Sequence, residues 1–134
     1  MRCLIGLLVA VMLPGCVSLP PVCAPPARAM VTAEIYFGRN IGDRLGVSDA
    51  AFADFTAREI TPRFQQGLTV VDARGQWRDT DRNRVVREPS KVVLVTFTDS
   101  PEARANLGAI AEAYKETFRQ QSVLTTVRSS CATF

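Results

Sequence analysis

Two short segments carry side chains that could bind a ligand. Tyr36 and Arg39 are three positions apart, and a phenol and a guanidinium at the end of a strand could bind an anion. The alternative interpretation is structural. In it, Phe37 packs in the core, Gly38 turns the chain and Arg39 is solvated, because most strand ends lead into ordinary loops. Tyr36 and Arg39 are therefore candidate binding residues.

The adjacent Trp77 and Arg78 form the second segment. An aromatic ring beside a cation could be a platform for a sugar or a lipid headgroup. A tryptophan also packs well in a hairpin, because it buries a large apolar area. Both residues lie in the segment 72–91, whose five arginines and one lysine outnumber its four acids. That balance favours a solvated hairpin with mixed ion pairs, and the alternative is a patch that contacts anionic lipid or polymer.

The absence of histidine limits the chemistry open to this chain. Histidine is the side chain whose unperturbed pKa lies nearest to neutral pH, so Ser-His and Cys-His catalysis are excluded. Asp79 and Asp81 lack the spacing of a calcium loop. The glycines match neither a phosphate-binding loop nor a dinucleotide fingerprint. We therefore predict no metal site and no cofactor, and no pattern assigns a catalytic residue.

The N-terminus has the features of an export signal. An apolar run over residues 4–13 follows Arg2. The run is shorter than the ~20 residues of a membrane-spanning helix and has the length of a signal-peptide core. The sequence LPGC at residues 13–16 resembles the bacterial lipobox. This resemblance implies cleavage before Cys16 and lipidation of that cysteine.

These features divide the chain into three parts. We predict a signal peptide over residues 1–15, a lipidated Cys16 with a proline-rich tether over residues 16–30, and one folded domain over residues 31–134. The membrane is then a partner through the N-terminal lipid, with the domain in the periplasm of a bacterial cell envelope. The alternative is cleavage after Ala29, which follows an A-x-A pattern and would leave a soluble exported protein.

The four cysteines fit the lipoprotein interpretation. Cys3 is lost with the signal and Cys16 carries the lipid, which leaves Cys23 and Cys131. These two could pair in an oxidising envelope compartment. The alternative is that Cys131 is a small buried apolar side chain.

The charge of the chain gives no reason to expect nucleic acid as a partner. The formal net charge is +3, and it falls to +2 when Arg2 is lost with the signal peptide. So small a charge on an exported protein does not indicate DNA or RNA binding.

Hydropathy patterns in the remaining chain predict four strands and two helices. Ser48 and Ser100 are suitable N-caps for the two helices. The predicted elements are a strand over 32–37, a helix from 49 that ends near 61, a strand over 68–78 with a bulge at 73–74, a strand over 84–97 interrupted at Pro89-Ser90, an amphipathic helix from 101 to 118 and a strand over 123–131.

This order, βαββαβ, predicts an α+β fold of the ferredoxin-like type. In that fold two helices pack on one face of an antiparallel sheet, and the second and third strands form a long hairpin. Folding the hairpin about residues 81–82 places Trp77 opposite Val86. The other face of the sheet is then free for a homodimer contact, a ligand or solvent.

Three groups of residues stand out in the folded domain: EIYFGR at residues 34–39, TPRF with GLTV at residues 61–64 and 67–70, and GQWR at residues 75–78. Together they resemble the bacterial domain-of-unknown-function family 3574. The resemblance extends from about Ala33 to Phe134. It implies a small exported or lipid-anchored envelope protein and assigns no activity.

Two classes of function follow from these observations. The first is a non-catalytic envelope module that binds a protein or polymer, and the missing histidine favours it. The second is a small histidine-independent enzyme or a ligand-binding dimer that uses Tyr36, Arg39 or an acid such as Glu34. The sequence favours the first class.

Overall fold

A computed structural model of the chain describes residues 22–134. Cys16 and the predicted signal peptide lie outside this range. Four strands form the main sheet: β1 (Arg28–Gly38), β4 (Thr69–Asp79), β5 (Arg84–Phe97) and β6 (Leu124–Ala132). Between β1 and β4 lie a short hairpin of β2 (Asn40–Ile41) and β3 (Arg44–Leu45), the helix α1 (Asp49–Phe55) and a π-helix (Thr56–Ile60). The helix α2 (Pro101–Phe118) connects β5 to β6.

The main sheet is antiparallel, with the strand order β4-β5-β1-β6. The predicted α+β class, with helices on an antiparallel sheet, is confirmed. β1 begins at Arg28, three residues before the predicted domain start at residue 31, because residues 28–30 already pair with residues 130–132 of β6.

Both helices pack on one face of this sheet. Ala33, Ile35 and Phe37 alternate along β1 and are fully buried, as the period of a strand with one covered face requires. The Phe37 ring lies 5.4 Å from that of Phe52 on α1 and 4.6 Å from that of Tyr114 on α2. One side chain of the sheet therefore contacts both helices.

The helix boundaries follow the predicted caps at the N-terminal ends. The Oγ atoms of Ser48 and Ser100 each accept a hydrogen bond of 3.1 Å from the backbone N–H three residues ahead. At its C-terminal end the first helix differs from the prediction. It is α-helical only to Phe55 and continues as a π-helix to Ile60, just before Pro62 prevents further helical hydrogen bonds.

The hairpin of β4 and β5 is regular, so the predicted bulge at residues 73–74 is wrong. The register runs without a slip from Thr69–Leu94 to Asp79–Arg84, and it places Trp77 opposite Val86 as predicted. The predicted interruption at Pro89 is also wrong. The Pro89 carbonyl accepts a hydrogen bond from the Arg39 N–H. The backbone nitrogen of Pro89, which carries no hydrogen, faces this same side and not β4. The hairpin therefore loses no hydrogen bond.

The hairpin is longer than the rest of the sheet. The last residue pair between β1 and β5 is Gly38–Ser90, so residues 74–89 extend beyond it as two strands without a third. We call this segment the arm. Its turn is closed by Asp79 Oδ1, which accepts hydrogen bonds from the N–H groups of Asp81 and Arg82.

A disulfide joins Cys23 to Cys131, 108 residues apart in the sequence. The cysteine count had predicted this pair. The bond ties the segment that precedes β1 to β6, the strand at one edge of the sheet. It therefore closes a loop that contains nearly the whole fold.

Candidate functional site

Tyr36 lies on the face of the sheet that carries no helices. Its hydroxyl donates a 2.5 Å hydrogen bond to Glu34 Oε2, and Arg128 Nη1 lies 2.8 Å from Glu34 Oε1. The Tyr36 hydrogen bond, followed by the positive charge of Arg128, lowers the pKa of the Glu34 carboxyl. The same hydrogen bond raises the pKa of Tyr36. At neutral pH the pair is therefore a carboxylate and a neutral phenol.

Arg39 lies on the opposite side of the sheet and is buried. Its Nε donates a 2.8 Å hydrogen bond to the Val47 carbonyl, and its Nη1 lies 3.1 Å from Asp49 Oδ1. The expectation of a solvated Arg39 is wrong. Side chains alternate along a strand, so residues 36 and 39 point to opposite faces. The structure therefore does not bring Tyr36 and Arg39 together.

Trp77 and Arg78 both lie in the arm. As neighbours on one strand they point to opposite faces, and Trp77 is 48% exposed on the side without helices. Arg78 Nη2 donates a 2.6 Å hydrogen bond to Asn83 Oδ1 across the turn. The two side chains therefore do not form a single aromatic and cationic platform.

A different set of charged groups converges where α1 meets the hairpin. The Lys91 ammonium lies 2.7 Å from Asp49 Oδ1 and 2.5 Å from Asp72 Oδ1. Lys91 is buried, whereas the Asp49 and Asp72 side chains are 74% and 82% exposed. Asp49 also accepts the contact from Arg39. Two buried cations thus meet two carboxylates that remain open to solvent.

This cluster borders a cavity of about 300 Å³, which we call the charged groove. That volume lies at the lower end of the ~300–1,000 Å³ range of small-molecule sites. A mostly apolar wall with a few converging polar groups is also typical of such sites. The lining residues are Asp49, Phe52, Ala53, Thr56, Ala57, Thr61, Val70 and Lys91.

The register of the sheet explains how the charged groove is assembled. Asp72 lies directly opposite Lys91 in the β4–β5 pair, where facing side chains are about 5 Å apart. Lys91 has the same parity as Val93 and Val95, so its stem is buried under the helices. Its ammonium lies 6.0 Å from the centre of the Phe52 ring. Asp49, in the first turn of α1, completes the cluster from the helical layer.

Hydrogen bonds within the cluster favour the charged forms of Asp49 and Lys91. The hydrogen bond from Lys91 is the main cause of the lowered pKa of Asp49. The hydrogen bonds to Asp49 and Asp72 raise the pKa of Lys91. With Arg39, the cluster has two positive and two negative charges and no net charge. A ligand that carries one positive and one negative group can therefore bind to the cluster without leaving an unpaired charge.

The π-helix forms part of the groove wall through Thr56 and Ala57. Short π-helical segments are frequent at functional sites. Here the wider turn follows Phe55, and the chain ends its helical course at Thr61, which lines the same groove. The hydroxyls of Thr56 and Thr61 are the neutral polar groups of the wall.

A larger cavity of about 450 Å³ lies at the other end of the helical layer. It is bordered by Phe64 and Phe97, together with amide and hydroxyl side chains. Its guanidinium, that of Arg63, is already paired with Glu59 at 2.8 Å. It has no cluster of oppositely charged groups like that of the charged groove, and the groove is therefore the better candidate site.

Sequence reasoning missed Lys91 and Asp72 as site residues. One signal was available for Lys91. It shares a face of a central strand with Val93, Val95 and Phe97, so its stem must be buried and its ammonium must pair with a carboxylate. The sequence pattern around Asp49 accounts for it only as an acidic residue that is favourable at a helix start. No local pattern shows that it reaches across to a strand.

Two further observations concern residues 22–134. In this range, no three cysteine or acidic side chains converge closely enough to bind a metal ion. No helix in the same range has the length and apolar character needed to cross a membrane.

Comparison with known proteins places the chain in a family. The model of the family described as Protein of unknown function (DUF3574) matches residues 32–134. The chain belongs to the DUF3574 family. This confirms the resemblance found in the sequence, over a range that begins within β1 and extends to Phe134. No curated protein matches the chain in sequence.

Solved structures share the fold of the DUF3574 domain. A phage SAM lyase in complex with S-methyl-5'-thioadenosine has a TM-score of 0.61 at 20% identity, covering 87% of this chain and 97% of that chain. The same kind of lyase in its apo state has a TM-score of 0.61 at 18% identity, covering 85% and 97%. The shared fold is that of an enzyme. The prediction of a non-catalytic interaction module is thereby contradicted.

Proposed function

We propose that the domain is a small histidine-independent enzyme that binds a sulfonium nucleoside of the S-adenosylmethionine type in the charged groove. The observation that carries the proposal is the buried Lys91 ammonium between the exposed carboxylates of Asp49 and Asp72, at the wall of an apolar cavity. The fold shared with a SAM lyase supports the choice of ligand.

The charge pattern suits the α-amino acid part of such a ligand. The ligand carboxylate can accept a hydrogen bond from Lys91, whose ammonium has three donors. The ligand ammonium can contact the free oxygens of Asp49 and Asp72. The cluster and the α-amino acid part of the ligand each carry positive and negative groups. When the two meet, no charged group of either is left unpaired in the groove. Phe52 and Val70 supply apolar surface for the rest of the ligand.

A sulfonium substrate also fits a chain without histidine. In an internal displacement, the carboxylate of the ligand forms a bond to the carbon that is attached to sulfur. The carbon–sulfur bond breaks as this carbon–oxygen bond forms, the bonding electron pair goes to sulfur, and a neutral thioether leaves. This leaving group needs no proton, so the reaction needs no general acid. The positive charge disappears during the step, and an apolar groove favours such a loss of charge because it solvates the cation poorly.

Lys91→Met is expected to weaken binding of S-adenosylmethionine by roughly ten-fold to a hundred-fold, since it removes one charge-assisted hydrogen bond to the ligand carboxylate. Binding of S-methyl-5'-thioadenosine, which lacks the amino acid part, is expected to stay within about two-fold. Isothermal titration with both ligands measures the difference, and chromatography of the S-adenosylmethionine incubation reports any thioether product.

The proposal also predicts weaker S-adenosylmethionine binding in acid, where Asp49 becomes protonated below its lowered pKa.

The matched control is Lys115→Met, which removes a lysine ion-paired to Glu112 on α2, away from the groove. Asp72→Asn offers a second test, because this exposed side chain can lose its charge without disturbing the core. Equal loss of binding in the Lys115 variant, or wild-type binding that does not distinguish the two ligands, would contradict the proposed site. Absence of any thioether product would contradict the proposed reaction.

The fold assignment is part of this proposal. We propose that the domain is of the ferredoxin-like type. In that fold a central strand, here β5, lies between two strands that run parallel to each other, here β4 and β1, and pairs with both. The strand order β4-β5-β1-β6 and the position of both helices on one face support it.

We also propose that Cys16 is lipidated and that the domain is held at the bacterial envelope, in the periplasm. The disulfide supports processing ahead of Cys23, since cleavage after Ala29 would cut inside β1 and separate Cys23 from the polypeptide. Intact mass spectrometry of protein from the native membrane fraction is expected to show an acylated chain that starts at Cys16. An unacylated chain that starts at Met30 would refute this part of the proposal.

A further inference from the structure

The sheet has one face that no helix covers, and this face carries a row of apolar side chains across all four strands. The strand register sets Val71 opposite Val92, Val92 opposite Tyr36, and Tyr36 opposite Leu124. We call this row the apolar stripe. Val71 and Leu124, at its two ends, are 44% and 60% exposed. On a small domain, a contiguous apolar surface is more often an interaction site than a surface that stays exposed to solvent.

The charged groups next to the stripe have opposite signs. Glu34 lies one row away from Tyr36 on β1, and Arg128 lies on β6 beside it at 2.8 Å. The Arg128 side chain is 63% exposed and keeps donors that Glu34 does not use. An acid and a base beside the apolar stripe make this face of the sheet electrostatically complementary to itself.

We propose that the face of the apolar stripe is the interface between two copies of this chain. Two sheets can pack face to face about 10 Å apart, with the side chains of their inner faces interdigitating. In a two-fold arrangement the same patch is used twice, so Glu34 of one copy can meet Arg128 of the other. A partner whose charges are all of one sign would attract one of these two groups and repel the other.

The first test compares two lysine variants on β6. Leu124 lies on the stripe, whereas Val127 is 41% exposed and points to the other side of the sheet. The purified protein is expected to be a dimer at micromolar concentration, measured by analytical ultracentrifugation. Leu124→Lys is expected to weaken the dimer at least ten-fold, and Val127→Lys to leave it within about two-fold.

The second test examines the charges between copies. Glu34→Arg and Arg128→Glu each place like charges across the interface and are expected to be monomeric. Mixing the two folded variants is expected to restore a dimer, because positions 34 and 128 are then both basic in one chain and both acidic in the other. A contact within one chain cannot be rescued by mixing. Circular dichroism of each variant establishes that it is folded.

Several results would overturn the proposal. They are a wild-type monomer at all concentrations, a dimer that Leu124→Lys leaves intact or that Val127→Lys weakens equally, and no recovery on mixing. Wild-type protein that carries a lipid or a different protein on this face, detected by native mass spectrometry, would also overturn it. None of these results depends on ligand binding in the charged groove.

Discussion

Replacing Cys23 and Cys131 together by serine is expected to lower the free energy of unfolding by roughly 2–5 kcal/mol. The bond closes a loop with a sequence separation of 108, and the chain-entropy account gives such a loop ~4–5 kcal/mol as an upper value. A folded domain of this size has roughly 5–15 kcal/mol of stability in total. The loss would therefore be a large part of it.

Urea unfolding followed by far-ultraviolet circular dichroism measures this effect. The midpoint is expected to fall, and the slope with urea to rise, because the unfolded chain expands when the cross-link is gone. The Cys23→Ala, Cys131→Ala pair controls for the polarity of serine and should lose the same stability. A change in unfolding free energy below about 0.5 kcal/mol would show that the disulfide does not stabilise the fold.

Phe37→Ala is expected to cost about 3–5 kcal/mol of stability, the range for removing a fully buried aromatic ring. Phe37 is 0% exposed, and its ring contacts Phe52 and Phe55 from the first helix and Tyr114 from α2. Removing it would leave a cavity at a point where the sheet meets both helices. The packed neighbours can close such a cavity only in part.

Phe134→Ala is the matched control, because this phenylalanine is 90% exposed. The same atoms are removed there without a cavity, so the free energy of unfolding should change by less than about 0.5 kcal/mol. Both variants are compared with the wild type by urea unfolding under the conditions used for the cysteine variants. Equal losses for Phe37→Ala and Phe134→Ala would contradict the proposed role of the ring.

Local patterns predicted the elements well because the physical causes are local. Alternation over residues 32–37 identified β1, and Ser48 and Ser100 identified the starts of both helices. The hairpin register followed from the turn alone, and Trp77 lies opposite Val86 as expected. The errors arose where a residue type was weighed without its neighbours: Pro89 stays in β5 because its missing N–H points away from β4.

The candidate site depended on contacts that no local pattern contains. Asp72 and Lys91 meet only because β4 and β5 pair in one register. Asp49 reaches Lys91 only because the helical layer packs over that register. Tyr36 and Arg39 were grouped because they are near in sequence, yet the parity of the strand separates them. The prediction of a non-catalytic module was wrong because the absence of histidine excludes only histidine-dependent catalysis and leaves other chemistry open.

The arm has a consequence for how this protein can be observed. A two-stranded ribbon without a third strand is only marginally stable, so residues 74–89 should open in local fluctuations while the sheet stays folded. Trp77, the one tryptophan of the chain, lies in this arm. Its fluorescence will therefore report the loosening of the arm at denaturant concentrations where the aromatic core is intact. Two optical probes would then follow two cooperative units within one small domain.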